Sequence, residues 1–75
     1  MRYDLIDLRL FLHVHEAGSI TAGAVRSHMT LASASARIRA LEDAVGTPLL
    51  VRDRRGVHAT PAGQTLARDA QPVLG

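Results

Sequence analysis

The stretch from Ser19 to Gly46 constrains this chain most, because it holds a long helix whose two ends are marked. Thr30 is a favourable N-cap residue, and Gly46 supplies the residue free to take φ > 0 that helix C-termini favour. Pro48 then prevents the helix from resuming. Between these signals, apolar residues recur at spacings of four, three and four, at Ala34, Ile38, Leu41 and Val45. The spacing predicts one helix with a single stripe that faces a core.

The opposite side of this predicted helix carries small residues followed by a cation. At about 100° per residue, the positions facing away from the stripe are Ala32, Ala36, Arg39, Ala40 and Asp43, with Leu31 and Ser35 on one flank. Small side chains allow close approach to a surface, and a nearby cation can meet phosphate. A helix that enters the major groove of DNA needs both features.

Composition favours a small, mostly helical domain. The chain has 75 residues, no cysteine, and Tyr3 and Phe11 as its only aromatic side chains, so aliphatic residues must build the core. A core of this size is marginal alone, which makes oligomerisation plausible. No long apolar run occurs, and Asp4, Asp7 and Arg9 interrupt any apolar segment near the N-terminus. We therefore expect a chain that is neither membrane-spanning nor exported, and a cytoplasmic location.

The positive charge lies in the middle of the chain. The net charge is +2, and residues 26–60 alone carry six arginines against three acidic residues. This asymmetry indicates an anionic partner, although an arginine-rich composition also arises from a GC-rich genome.

The first element predicted is a helix capped by Asp4 that runs to about Ala17 and ends at Gly18. It has two apolar stripes, one of Leu5, Leu8, Phe11, Leu12 and His15, and the other of Ile6, Leu10 and Val14. Two apolar sides predict burial on two sides. The second side packs either against a partner chain or within the domain, as in a central helix.

A short helix from Thr21 to about Ser27, capped by Ser19, comes next and leads through the tight turn 28–30 into the long helix. Gly23 in the short helix permits close helix packing. This is the helix-turn-helix pattern: a short helix, a turn of about three residues, and a longer helix that begins with small side chains.

After Gly46 the pattern changes to two strand-like runs, 49–52 and 57–60, separated by the turn Asp53-Arg54-Arg55-Gly56. Thr60 and Pro61 then start a fourth helix that should end at about Ala70 or Gln71, before Pro72. The predicted fold is mainly α with a small β-hairpin, a winged helix-turn-helix with a three-helix core, a two-stranded wing and a C-terminal linker or dimerisation helix.

In this order and spacing, the chain resembles the N-terminal DNA-binding domain of a LysR-type transcriptional regulator. The resemblance spans about Leu5 to Leu74, and its motifs are 7–12, 18–24, 35–42, 46–50, Arg52 and 60–63. It implies a third helix in the major groove, a wing on a neighbouring groove or on the backbone, and a fourth helix that pairs in a homodimer. In segments, residues 1–60 would be the winged domain and 61–75 the start of the linker helix. Family members normally continue into a domain that binds a small-molecule inducer, and a full-length protein can form a tetramer.

The sequence differs from the family at the start of the third helix, the recognition helix that the resemblance places in the major groove. The family has Gln, Pro and later Arg where this chain has Leu31, Ala32 and Ala36. These side chains cannot make the usual polar base contacts, but they can touch thymine methyl groups. We therefore expect more of the specificity to come from Ser35, Arg39, the wing and DNA shape.

The predicted site residues follow from these observations. For Arg37 two alternatives stay open, a contact to backbone phosphate or a pair with an acid such as Glu42. The candidate DNA-binding residues are Thr30, Leu31, Ala32, Ser33, Ser35, Ala36, Arg37, Arg39, Arg52, Arg54 and Arg55. The candidate dimerisation residues, given the resemblance, are Leu5, Leu66 and Ala70.

No motif for catalysis, a cofactor or a metal is present in the sequence. Of the four histidines, His13 and His15 are two apart on one predicted helix and cannot share a face, and His28 and His58 lie in other elements. There is no glycine-rich phosphate loop or nucleophile elbow. We therefore predict a non-enzymatic protein that binds double-stranded DNA. The alternatives are a winged-helix module for protein association without DNA binding, and an accessory domain of a nucleic-acid enzyme.

Overall fold

Four helices and a two-stranded sheet make up the computed structural model, which describes the backbone of residues 4–74 and the side chains of residues 4–71. The helices are α1 (Leu5–Ala17), α2 (Ile20–Arg26), α3 (Leu31–Val45) and α4 (Pro61–Leu74), and the strands are β1 (Leu50–Asp53) and β2 (Gly56–Ala59). The predicted winged helix-turn-helix is therefore confirmed. Residues 1–3 and 75 of the predicted segments lie outside the described residues.

Each helix begins where a side-chain oxygen accepts a hydrogen bond from a backbone N–H three residues ahead. The donor-to-acceptor distances are 3.0 Å at Asp4, 3.1 Å at Ser19, 3.1 Å at Thr30 and 3.0 Å at Thr60. Such caps satisfy N–H groups that have no partner inside the helix. Gly18 and Gly46 end α1 and α3 with φ of 68° and 89°. All four predicted N-caps are confirmed.

Four predicted elements have different boundaries in the structure. Helix α2 begins at Ile20 rather than Thr21 and ends at Arg26, and both strands shift by one residue. Leu49, the residue before β1, is fully buried, and its N–H donates to the Glu42 side chain of α3. The prediction that α4 ends before Pro72 is wrong, since the helix runs to Leu74. A proline this close to a helix end removes only one N–H donor and has little helix after it to disrupt.

The core is centred on α1. Its residues Leu8, Leu10, Phe11, Leu12 and Val14 are all buried by the chain itself, whereas Leu5 and Ile6 in its first turn remain 52% and 53% exposed. Both predicted stripes are therefore buried within the domain beyond the first turn, as expected of a central helix. On α3, Ala34, Ile38 and Leu41 are buried and Val45 packs against them, which confirms that stripe.

Helices α1 and α2 cross closely because α2 carries Gly23. A Cβ atom at that position would lie 2.8 Å from both the backbone nitrogen and the Cα of Val14, a distance at which something must shift. The absence of a side chain therefore allows the two backbones to meet, as the sequence predicted. The turn that follows includes His28 with φ of 57°, a left-handed conformation that is uncommon outside glycine.

The hairpin β1–β2, the wing, is antiparallel and pairs Leu50 with Ala59 through to Asp53 with Gly56. The Val57 N–H donates to the carbonyl of Gly18, at the end of α1, at 3.0 Å, and this bond ties the wing to the helical body. At the open end of the hairpin, the Thr60 N–H donates to the Leu49 carbonyl at 3.0 Å. A two-stranded hairpin is marginal alone in water, so these bonds and the burial of Val57 hold the wing in place.

Candidate nucleic-acid interface

The first turns of α3 present an exposed surface of mainly apolar and small residues. Thr30, Leu31, Ala32, Ser33 and Ala36 are exposed, and Leu31, the first residue of the helix, keeps 49% of its surface accessible. The Thr30 hydroxyl accepts the Ser33 N–H, so it serves as the helix cap. The predicted contact residues of this segment thus form one accessible surface at the N-terminal end of the helix.

Arg37 forms an ion pair with α1. Its Nη1 donates to Asp7 Oδ1 at 2.9 Å, and the Asp7 side chain is only 15% exposed. This hydrogen bond, with the attraction between the two charges, raises the pKa of the Arg37 guanidinium above its ordinary value. The alternative that Arg37 pairs with an acid is therefore confirmed, but the acid is Asp7 and not Glu42. Asp7 lies on the neighbouring helix and is reached only in the folded chain.

Glu42 instead holds the start of the wing. Its Oε2 accepts the N–H of Leu49 at 2.7 Å and that of Leu50 at 3.2 Å. These two donors lie just after Pro48, where the chain leaves the loop and enters β1. The carboxylate therefore fixes the position of the wing relative to α3.

A groove of about 480 Å³ runs between α3 and the wing. Arg39 enters from α3 and Arg52 from β1, with Ser35 on the helix side. The full lining consists of Ile20, Ser35, Ile38, Arg39, Glu42, Leu50, Arg52 and Val57. Three predicted contact residues, up to 17 positions apart in sequence, thus come together around one groove that carries two guanidinium groups.

A second groove, of about 260 Å³, separates the start of α2 and Leu31 from the wing. Arg52 lines this groove as well as the first, so the two grooves share a wall. Leu31 and Arg52 consequently border the same concave surface.

The tip of the wing is shaped by Asp53. Its Oδ1 accepts the Arg55 N–H at 2.7 Å and lies 3.2 Å from Nε2 of His58 across the hairpin. A backbone N–H that donates to the aspartate side chain two residues before it is a known way of closing a turn. Gly56 completes the turn with φ of 118°, as its place in the sequence predicted. Arg54 and Arg55 are exposed at this tip.

The three candidate dimerisation residues have different surroundings. Leu5 is half exposed, Leu66 is partly buried against the core, and Ala70 is 4% exposed and belongs to the core of the chain itself. Only Leu5 and Leu66 therefore keep surface for a partner, and their role in a dimer stays a prediction.

Sequence reasoning missed the residues that support the interface, Asp7, Glu42 and Asp53. The spacing of Asp53 before the turn is a signal that could have identified its turn-closing bond. Nothing local marks the partners of Asp7 and Glu42, because both are set by tertiary contact.

Two features are absent from the described part of the chain. No group of three or more metal-ligating His, Cys, Asp or Glu side chains was found within residues 4–71. Among the helices of the described part of the chain, none has the length and apolar character needed to cross a membrane.

The chain is similar in sequence to known regulators. The family model for the bacterial regulatory helix-turn-helix proteins of the lysR family matches residues 5–64. The Hca operon transcriptional activator HcaR of Escherichia coli K12 is 44% identical over 71 residues, which are 95% of this chain and 24% of HcaR. The HTH-type transcriptional regulator AbaB of Streptomyces antibioticus is 42% identical over the same shares. The chain thus spans about a quarter of the length of these relatives.

Solved structures with the same fold include DNA complexes. The DNA-binding domain of CbnR in complex with DNA has a TM-score of 0.89 and 35% identity, covering 96% of this chain and 83% of that one. The DNA-binding domain of BenM bound to catB site 1 DNA has a TM-score of 0.90 and 33% identity, covering 96% and 80%.

Proposed function

Because this chain belongs to the LysR family of bacterial helix-turn-helix regulators, we propose that it is the DNA-binding domain of a transcriptional regulator and binds double-stranded DNA sequence-specifically. The observation that carries the proposal is the groove between α3 and the wing, which Arg39 and Arg52 both line, together with the exposed start of α3. The relatives are transcriptional regulators rather than enzymes, and similar domains bind DNA in their solved complexes.

Each part of the interface has a distinct role in this proposal. The start of α3 enters the major groove, where Leu31, Ala32, Ser35 and Ala36 meet base edges and Thr30 and Ser33 approach the backbone. Arg39 and Arg52 contact phosphate on either side of the groove that they line. Arg37 contributes to the positive potential while Asp7 holds one of its N–H groups.

The wing tip supplies further cations. Arg54 and Arg55 are exposed and lie beyond the helical body, where they reach the DNA backbone or the minor groove. Asp53 and Gly56 fix the backbone of the turn that carries both arginines.

The dependence of DNA affinity on salt tests this proposal. The logarithm of the association constant for duplex DNA should fall by about 0.9 per log unit of salt concentration for each phosphate neutralised. Replacing both Arg54 and Arg55 by Ala should lower that slope by up to about 1.8 and weaken binding to all sequences alike. The double variant with Arg9→Ala and Arg68→Ala, which removes the same charge from exposed positions on α1 and α4, is the control.

Two results would contradict the assignment. An identical slope for the wing variant and its control would show that the wing arginines meet no phosphate. An affinity for duplex DNA that does not change with salt would instead favour the association module, whose apolar contacts carry no such dependence.

Ser35 is proposed to contribute to the choice among DNA sequences. It lies half-buried on the wall of the α3–wing groove, close to where base edges would pass. Ser35→Ala should change the relative affinities for different operators, since a hydroxyl can donate to or accept from a base edge. An equal loss on every operator would assign Ser35 to the backbone instead.

We further propose a homodimer that pairs through α4, with Leu5 and Leu66 at the contact. Leu5 leaves 52% of its surface exposed at the start of the central helix. Leu5→Glu should therefore weaken dimerisation without unfolding the chain, as measured by analytical ultracentrifugation. A wild-type chain that stays monomeric at high concentration would exclude this dimer. A cytoplasmic location, a tetrameric full-length protein and an inducer acting through a C-terminal domain complete the proposal.

A further inference from the structure

We propose that the start of α3 reads the C5-methyl groups of the major groove, so that thymine or 5-methylcytosine is recognised where Leu31, Ala32 and Ala36 meet the bases. This inference rests on the proposed DNA binding and concerns which chemical feature of the DNA the helix selects. Thymine presents a methyl group at C5 in the major groove, and an apolar side chain is its natural contact.

The exposed surface at the start of α3 is unusually apolar for a position that faces base edges. Leu31 is the first residue of the helix and is 49% exposed, and Ala32 and Ala36 are exposed beside it. Exposure of a large aliphatic side chain is unfavourable in water, and burial against a methyl group recovers that free energy. Leu31 also borders the groove that leads to Arg52, so DNA held there passes over it.

The polar groups of this segment discriminate poorly between bases. No amide or guanidinium side chain occurs between Thr30 and Ala36, so the bidentate hydrogen bonds that select guanine or adenine cannot be made there. Thr30 uses its hydroxyl to cap the helix. Ser33 and Ser35 offer hydroxyls that can donate or accept, and a hydroxyl serves any base.

The arginines nearest to this segment on α3 are Arg37 and Arg39. Arg37 is paired with Asp7, and Arg39 lines the groove between α3 and the wing together with Arg52. Beside the Ser35 hydroxyl, methyl contact is consequently the base-selective interaction available to the first two turns of α3. Each buried methyl group is worth about fourfold in affinity, the ratio that corresponds to about 0.8 kcal/mol.

Substitution of uracil for thymine isolates this effect, because uracil keeps every hydrogen-bonding group and lacks only the methyl. A random duplex library is selected for binding to the chain, and the selected pool is then copied with either dTTP or dUTP. For the wild-type chain, the uracil pool should bind about fourfold more weakly for each methyl contacted, or about 4- to 16-fold for one or two. For Leu31→Ala the thymine-to-uracil ratio should fall towards one.

Val25→Ala is the matched control. Val25 is 69% exposed on α2 and lines neither of the two grooves, so its removal should leave the ratio as in the wild type. A uracil effect that arises from altered DNA shape would be equally large in Leu31→Ala, whereas a methyl contact by Leu31 is lost in that variant.

A second selection moves the methyl group to another base. When the random library is built with dUTP and 5-methyl-dCTP, cytosine should be enriched at the positions where the ordinary selection enriches thymine. No such enrichment, equal binding of the thymine and uracil pools by the wild type, or an unchanged ratio in Leu31→Ala would each overturn the inference while DNA binding stands. Failure to bind any duplex would overturn the proposed function itself.

Discussion

Removal of the Glu42 carboxylate should destabilise the domain and loosen the wing. In the structure one oxygen of this side chain accepts two backbone N–H groups, from Leu49 at 2.7 Å and from Leu50 at 3.2 Å. Leu49 is fully buried, whereas Leu50 is half-buried at the wall of the α3–wing groove. Glu42→Ala leaves both donors without this acceptor, and water reaches the second more easily than the first.

The expected loss follows from these two bonds. A buried donor left without a partner costs about 1–3 kcal/mol, so Glu42→Ala should lower the free energy of unfolding by roughly 2–4 kcal/mol. A chain of this length has a total of only about 4–11 kcal/mol, which makes the loss a large fraction. Glu42→Gln keeps an oxygen acceptor but loses the charge, so its loss should be about half as large.

Urea unfolding followed by circular dichroism measures this loss, and the midpoint should fall while the slope m stays constant. Asp43→Ala removes a neighbouring carboxylate from an exposed position on the same helix and should change stability by no more than about 0.5 kcal/mol. Equal effects of Glu42→Ala and Asp43→Ala would refute the view that Glu42 anchors the wing. Glu42→Gln, if folded, should also bind DNA more weakly, because Arg52 is carried by the strand that Glu42 holds.

Three further predictions concern contacts between elements. Gly23→Ala should cost about 2–3 kcal/mol in urea unfolding, because its Cβ would press on the backbone of Val14; an unchanged midpoint would contradict the close crossing. Thr60→Ala should cost about 1–2 kcal/mol by the same measurement, since the Thr60 hydroxyl caps α4 and donates to the carbonyl before Leu49, and Thr60→Ser should restore most of it. Asp7→Asn and Arg37→Gln should be non-additive in a double-mutant cycle, with a coupling that shrinks in high salt. Asp7 raises the pKa of Arg37 above an ordinary value that is already far above neutral, so the stabilisation by this ion pair is fully present below that pKa. The coupling energy should therefore stay unchanged across neutral pH. A decline between pH of about 6 and 9 would contradict this.

The fold was predictable from sequence to the extent that its signals are local. Each helix start was identified by a residue whose side chain caps the helix, and Gly18 and Gly46 end α1 and α3 as expected. Gly56 takes the positive φ that its turn requires. These features depend on neighbours within about four residues, which a sequence displays directly. The end of α4 was missed because the rule that proline stops a helix weakens in a final turn.

Side-chain partners across the fold were less predictable. The sequence left Arg37 either on backbone phosphate or paired with an acid such as Glu42. In the structure its acid is Asp7 of α1, and Glu42 instead accepts the N–H groups of Leu49 and Leu50. Choosing between such partners requires the positions of α1 and the wing. The groove that joins Ser35, Arg39 and Arg52 has the same origin, since it exists only once the wing is set beside α3.

The residues that hold the wing in place are different from the exposed residues that we propose to contact DNA. The wing is positioned by Glu42, by the Gly18 carbonyl that accepts the Val57 N–H, and by the burial of Val57, and none of these needs DNA. The exposed Leu31 and the arginines of the wing tip take no part in that support. Substitutions among the exposed residues should therefore change affinity or base preference at nearly constant stability, whereas Glu42 should change both. If Leu31→Ala unfolded the domain as readily as Glu42→Ala, this separation would be wrong.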